Sequence, residues 1–180
     1  VPGCATGEEA YTVAMMVDDL LGSPADLASR VKVFATDLDD VSLDYGRRGT
    51  YPASAIESLP ATWQRRYFTT RSSQDDVAAK LRDITVFARH NIAVDPAFVR
   101  LDLVSFRNVL IYFENVLQNR VLRALHYALR PDGLLFLGGS EGVAAMQDWF
   151  VPLSAKQRIF ERVPGGSAAW LPTVHRTGVK

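Results

Sequence analysis

Gly3-Cys4-Ala5-Thr6-Gly7-Glu8-Glu9 is the stretch that decides the fold. It runs straight into an amphipathic segment, Glu8 to Leu21, in which Ala10, Val13, Ala14, Val17, Leu20 and Leu21 recur at helical spacing until Gly22-Ser23-Pro24 ends the run. A glycine turn opening a helix is where doubly wound α/β folds place a ligand. The spacing matches neither G-x-G-x-x-G nor a P-loop. Glu8 and Glu9 fall in the helix's first turn, where a phosphate would otherwise sit on free N–H groups. Two carboxylates there would repel a pyrophosphate and suit a ligand with a positive centre, such as a sulfonium or an ammonium. They equally suit the plain role of complementing the helix dipole.

Outward from the turn, strand and helix patterns alternate. Val31 to Thr36 is β-branched and apolar and reads as a buried strand ending at Asp37; Asp39 to Arg48 reads as a short helix stopped by Gly49. Tyr51 to Phe68 holds two short helical candidates broken by Pro52 and Pro60, and Thr69 to Asp83 turns polar, with Ser72 to Asp76 as the expected exposed loop. Ile84 to Ala88 and Leu101 to Phe106 read as strands. Glu114 to Leu129 reads as a helix with Leu117, Val121, Leu125 and Ala128 on one face, stopped by Arg130-Pro131-Asp132-Gly133. Leu134 to Leu137 follows as a buried strand, Arg158 to Arg162 as an edge strand, and the chain from Pro164 onward as a frayed tail. This alternation predicts an α/β fold with a largely parallel sheet, and the Pro-broken, polar residues 50–83 predict an inserted subdomain.

Composition narrows the function. Of the 180 residues 48% are hydrophobic, enough for a real core, while Lys+Arg and Asp+Glu are each 20, a zero net charge that argues against polyanionic partners. The single cysteine, Cys4, excludes an internal disulfide framework and disfavours a cysteine-built zinc site, and no metal site is expected. No apolar run reaches membrane-spanning length, so a cytoplasmic domain without membrane insertion is the expectation.

Three further groups carry chemistry. Asp37, at the carboxyl end of a strand, is placed to accept both ribose hydroxyls of a nucleoside, or is a plain turn aspartate. A ribose acceptor without a phosphate cradle is the pattern expected for S-adenosylmethionine rather than NAD or ATP. Asn91 could bond an adenine edge with Ile92 as apolar contact, or be a turn residue; His90 and His126 read as structural. Arg107, Asn108 and Tyr112, within Ser105 to Tyr112, offer a cation, an amide and a phenol where a fourth parallel strand delivers its end.

In this order, Gly3–Tyr11, Phe34–Asp39, Phe87–Asn91, Arg107–Phe113 and Arg130–Glu141 resemble successive blocks of the CheR family, the S-adenosylmethionine-dependent chemoreceptor glutamate O-methyltransferases. The resemblance covers about residues 3–162. It implies a Rossmann-like methyltransferase domain over residues 1–163, with helices on both faces of the sheet and an antiparallel β-subdomain inserted at about 50–87. The flexible tail would be 164–180. Cofactor contacts are implied at Gly3, Ala5, Thr6, Gly7, Glu9, Asp37, Asn91, Ile92, Asn108 and Val109, with Arg107 and Tyr112 beside the transferred methyl. S-adenosylmethionine is the implied cofactor and S-adenosylhomocysteine the product. Chemoreceptor cytoplasmic helices are the implied partners, and in some family members the subdomain docks a receptor-tail peptide, which here would fall to Tyr67–Phe87. Two departures stand out. Phe106 occupies a position where the family commonly has Cys, and the family's N-terminal helical domain and most of the first central strand are expected to be absent before Gly3. The rival readings are a non-catalytic cofactor- or peptide-binding module of a larger signalling protein, and a nicotinamide oxidoreductase. The two carboxylates after the glycine turn count against the latter.

Overall fold

A computed structural model describes residues 1–71 and 73–164. The chain divides into two compact units, Val1–His90 and a second beginning at Asn91. The first contains, in order, α1 (Glu8–Leu20), α2 (Leu27–Arg30), β1 (Val33–Asp37), α3 (Asp40–Arg48), β2 (Thr50–Pro52), α4 (Ala53–Ile56), α5 (Ala61–Tyr67), β3 (Phe68–Arg71), β4 (Gln74–Val77), α6 (Ala79–Ile84) and β5 (Thr85–Arg89). The second contains β6 (Leu101–Phe106), α7 (Asn115–Ala128), β7 (Leu129–Leu137), β8 (Phe150–Ser154) and β9 (Ile159–Arg162).

Each unit is built on a strand–helix–strand crossover between parallel neighbours. β1 and β5 pair in parallel with Val33 opposite Thr85 and Asp37 opposite Arg89. β6 and β7 pair in parallel with Val104 opposite Leu135 and Phe106 opposite Leu137. Parallel pairing demands such a crossover. α3 supplies part of the first: Asp39 caps it by accepting from the Val41 and Ser42 amides at 3.1 and 3.2 Å, and Gly49 ends it. The rest of that crossover is the insertion, an antiparallel sheet in the order β2-β4-β3. Each unit has its own apolar cluster, around Tyr11, Met15, Leu43, Leu81 and Phe87 in the first and Phe106, Leu125, Leu135, Leu137 and Phe150 in the second. This is an α/β fold of the Rossmann-like kind, and no helix among the described residues is long and apolar enough to cross a membrane.

Several expectations change. The buried face of α1 is Ala10, Tyr11, Ala14, Met15 and Asp18, whereas Leu20 is 86% exposed. Ser72 lies outside the described residues, but Gln74, Asp75 and Asp76 are not loop: they form the central strand of the inserted sheet. Their polarity is matched across the strands, with Asp75 accepting from the Thr70 hydroxyl at 2.6 Å and Asp76 from the Thr50 hydroxyl at 2.8 Å. Arg130 to Gly133 do not separate α7 from a strand starting at Leu134. β7 begins at Leu129, and these residues bulge out of its register, with Asp132 in the left-handed region at φ 62. β9 is not an edge strand, because β8 pairs outside it; Pro152 within β8 disguised that edge. Beyond Pro164 the expected tail falls outside the described residues.

Asp18 explains the turned face of α1. Its carboxylate is fully buried and accepts from the Lys80 ammonium at 2.7 Å, the Tyr67 hydroxyl at 2.9 Å and the Ser23 hydroxyl. Burial pushes the carboxyl upward, but the hydrogen bonds from Lys80, Ser23 and Tyr67 outweigh it and hold the group below its ordinary value. One acid thus ties α1 to the end of α5 and to α6. Asp18→Ala should cost on the order of 3 kcal/mol, read from the denaturant midpoint, because it strands the buried Tyr67 hydroxyl and leaves the half-buried Lys80 ammonium without its carboxylate. A carboxyl depressed in the fold stabilises fully above its unfolded value of about 3.9, and this contribution disappears as pH falls through the lower folded value. The variant should therefore show a shallower acid-unfolding transition than the wild type.

Candidate functional site

The glycine turn is built by hydrogen bonding to β1. Pro2 bridges Thr36 in parallel, the Thr36 amide donates to the Val1 carbonyl, and the Cys4 amide donates to the Thr36 carbonyl, the last two at 3.0 Å. The chain then turns through left-handed Gly3, Ala5 and Gly7, at φ 70, 44 and 94. Gly7 is obligatory, since a Cβ there would also lie 2.7 Å from the Phe87 ring. Asp37 closes the turn. Its Oδ2 accepts from the Ala5 amide at 2.8 Å, and its Oδ1 from the Leu38 and Asp39 amides at 2.7 and 3.1 Å. A carboxylate offers about four lone-pair sites, so the half-buried Asp37 keeps room for one further strong hydrogen bond. That is one fewer than a ribose diol offers, which narrows the expectation that it serves both hydroxyls.

The helix start that follows is acidic and already occupied. The Thr6 hydroxyl donates to the Glu8 carboxylate at 2.7 Å, while Glu9 is half-buried in the same turn. This arrangement fits a sulfonium and opposes a pyrophosphate. The Tyr51 hydroxyl of β2 donates to the Thr6 carbonyl at 2.7 Å, so the inserted sheet touches the turn directly. Burial first, then the Glu8 charge, pushes the Tyr51 phenol far above its ordinary range, which keeps it a donor. Cys4 is buried, and burial together with the Asp37 charge pushes its thiol up to about 11. It is no nucleophile at neutral pH.

The remaining candidates lie in the second unit. Asn91 forms a tight local turn, its Oδ1 accepting from the Ala93 amide at 3.0 Å, and Ile92 packs against the second apolar cluster. Phe106 is fully buried, so the departure from the family's Cys is absorbed by packing. Immediately after β6, Arg107 places its guanidinium 4.9 Å from the centre of the Phe136 ring. Asn108 is exposed and left-handed at φ 58, Val109 is half-buried, and a 3₁₀ turn over Leu110–Tyr112 leaves the Tyr112 ring 80% exposed. The structure therefore gathers Gly3, Ala5, Thr6, Gly7, Glu9 and Asp37 at one strand end, and Arg107, Asn108, Val109 and Tyr112 at another.

Two residues with a part in this geometry carry no role in the sequence reading. Tyr51 had no local signal. Glu141 did have one: a lone acid after Gly138-Gly139-Ser140 at the end of an apolar strand, and it proves buried, accepting from the Asn108, Leu110 and Gly138 amides. His126 is structural, buried against Trp149 and Phe150 with Nε2 at 3.1 Å from the Val163 carbonyl.

A glycine turn pinned by a strand-end aspartate, followed by acids instead of a phosphate cradle, defines a nucleoside-binding α/β domain suited to a cationic ligand. The description "CheR methyltransferase, SAM binding domain" matches residues 2–159, and the chain belongs to that family. S-adenosylmethionine is accordingly its cofactor. The chain is 34% identical over 152 residues to the chemotaxis protein methyltransferase of Escherichia coli, covering 81% of this chain and 52% of that protein. Against chemotaxis protein methyltransferase 2 of Pseudomonas aeruginosa the identity is 35% over 143 residues, 76% of this chain and 50% of that one. A 104.1 kDa protein of Rhodobacter capsulatus is 45% identical over 166 residues, 92% of this chain but 17% of its own length. The chain thus spans about half of the two methyltransferases and a small part of the third protein.

Gly7→Ala tests the turn. A side chain at positive φ and an overpacked Phe87 contact should together cost about 2–4 kcal/mol. A lower melting temperature and a smaller thermal shift with S-adenosylhomocysteine are the expected readings.

Proposed function

We propose that this domain is the catalytic part of a protein-glutamate O-methyltransferase that modifies chemoreceptors. The observation that carries the reading is the family match, in which the Arg107–Tyr112 segment stands directly at the end of a parallel strand. Two relatives named as chemotaxis methyltransferases support the receptor substrate. The proposed bounds are residues 1–163 with the insertion at 50–87, the place of action is the cytoplasm, and the partners are the receptors' cytoplasmic helices.

Gly3, Ala5, Thr6, Gly7, Glu9, Asp37, Asn91, Ile92, Asn108 and Val109 are proposed as the residues that hold the cofactor, which supplies an electrophilic methyl group on a sulfonium. The acceptor carboxylate of a receptor glutamate is already ionised at neutral pH, so no residue of the domain need act as general base. What the protein adds is alignment and exclusion of water. Arg107 orients the acceptor carboxylate. Its cation is shared with the Phe136 ring, which moderates an ion pair that would otherwise blunt the nucleophile. Tyr112, exposed at the end of its 3₁₀ turn, lines the approach.

Incubating the protein with receptor-containing membranes and radiolabelled S-adenosylmethionine should give alkali-labile methyl esters on the receptor. Cofactor binding with no transfer to any receptor would replace this reading with that of a binding module, a setting compatible with the long Rhodobacter relative. Arg107→Ala should leave S-adenosylhomocysteine affinity within about twofold and lower turnover at least a hundredfold, about 2.7 kcal/mol of transition-state stabilisation. Equal loss of both would remove Arg107 from its proposed role.

A further inference from the structure

We propose that Glu141 is a positioning residue for the methyl-transfer site, clamping the Arg107–Tyr112 segment through its backbone. The inference rests on the proposed function, because it gives a second layer to residues assigned there. Glu141 is only 5% exposed, and its carboxylate accepts from three main-chain amides. Oε2 accepts from Asn108 at 2.9 Å and from Gly138 at 2.7 Å; Oε1 accepts from Leu110 at 2.8 Å. Its own amide donates to the Gly138 carbonyl at 3.0 Å, which closes the turn that carries it.

These bonds join the carboxyl ends of two parallel strands, β6 and β7, through the backbone of the loop that follows β6. They fall on either side of Val109 and hold Asn108 in the left-handed region, at φ 58, which an L-residue enters at a cost. Charge-assisted bonds from a buried carboxylate are the strong kind, and they set the direction in which Arg107, Asn108 and Tyr112 leave the backbone. Gly138 is part of the same device. A Cβ on it would collide with the Asn108 side-chain oxygen, lie 2.7 Å from Glu141 Oε2 and lie 2.9 Å from the Asn108 nitrogen. The three amide contacts place the action of Glu141 on the main chain.

Glu141→Gln keeps the shape but sets an amide N–H₂ against at least one backbone N–H. Glu141→Asp keeps the charge on a shorter arm, and Gly138→Ala disturbs the clamp from the opposite side. Amide hydrogen exchange should show protection at Asn108 and Leu110 in the wild type and at least a tenfold loss of it in Glu141→Gln and Gly138→Ala. S-adenosylhomocysteine affinity should drop about tenfold in both and turnover on receptor membranes by a larger factor, while Glu141→Asp recovers part of each. Leu125→Ala, a truncation on α7 in the apolar cluster that the clamped loop also packs into but outside the clamp's own residues, should lower the melting temperature with affinity and turnover kept. Unchanged affinity and turnover in a folded Glu141→Gln, or losses no larger than those of Leu125→Ala at matched stability, would overturn the proposal. If the wild type itself neither binds nor transfers, the proposed function fails, while intact protection at Asn108 and Leu110 in Glu141→Gln would separately refute the clamp.

Discussion

A loop that leaves the carboxyl end of a parallel strand carries amide N–H groups that have no ladder partners. This domain meets that constraint twice, each time with one carboxylate. Asp37 accepts from Ala5, Leu38 and Asp39 at the end of β1. Glu141 accepts from Asn108, Leu110 and Gly138 at the ends of β6 and β7. Each clamp holds a non-glycine residue at positive φ, Ala5 in the first and Asn108 in the second. Among the residues proposed to hold the cofactor, Ala5 and Asn108 have their backbone amides fixed by these two acids, so satisfied main-chain donors shape both strand ends.

The two acids differ in what remains open. Glu141 is buried, whereas Asp37 is half-buried with one acceptor site to spare, which is what its proposed role as a ligand contact requires. Electrostatics points the same way. Acids at the start of α1, with Glu8 already on the Thr6 hydroxyl, make the glycine turn hospitable to a sulfonium and not to phosphates. Tyr51 extends the first clamp into the inserted sheet, since its hydroxyl holds the Thr6 carbonyl from β2.

How much of this was legible in the sequence depends on the range of the interaction. Local signals read well: the Gly7–Glu9 helix start, the short helix stopped by Gly49 and the strand Leu101–Phe106 appear where the pattern put them, and the strand expected over Val31–Thr36 forms at Val33–Asp37. Polar residues satisfied across space misled. Asp75 and Asp76 look like loop but sit in a strand because Thr70 and Thr50 face them, and Asp18 looks like a solvated helix residue but is buried because Lys80, Ser23 and Tyr67 reach it. Glu141 belongs to the same class, its partners lying as far as 33 residues away in sequence. Site residues at strand ends, Asp37 among them, could be nominated from position, whereas Glu141 had a local signal whose meaning rests on a partner 33 residues away.

The glycine turn and its acids select a phosphate-free nucleoside over a dinucleotide. Calorimetric titration of the folded chain with S-adenosylhomocysteine and, side by side, with NAD tests it most directly. The account predicts saturable one-to-one binding of S-adenosylhomocysteine and none of NAD. Saturable NAD binding, or an equal response to the two ligands, would contradict it.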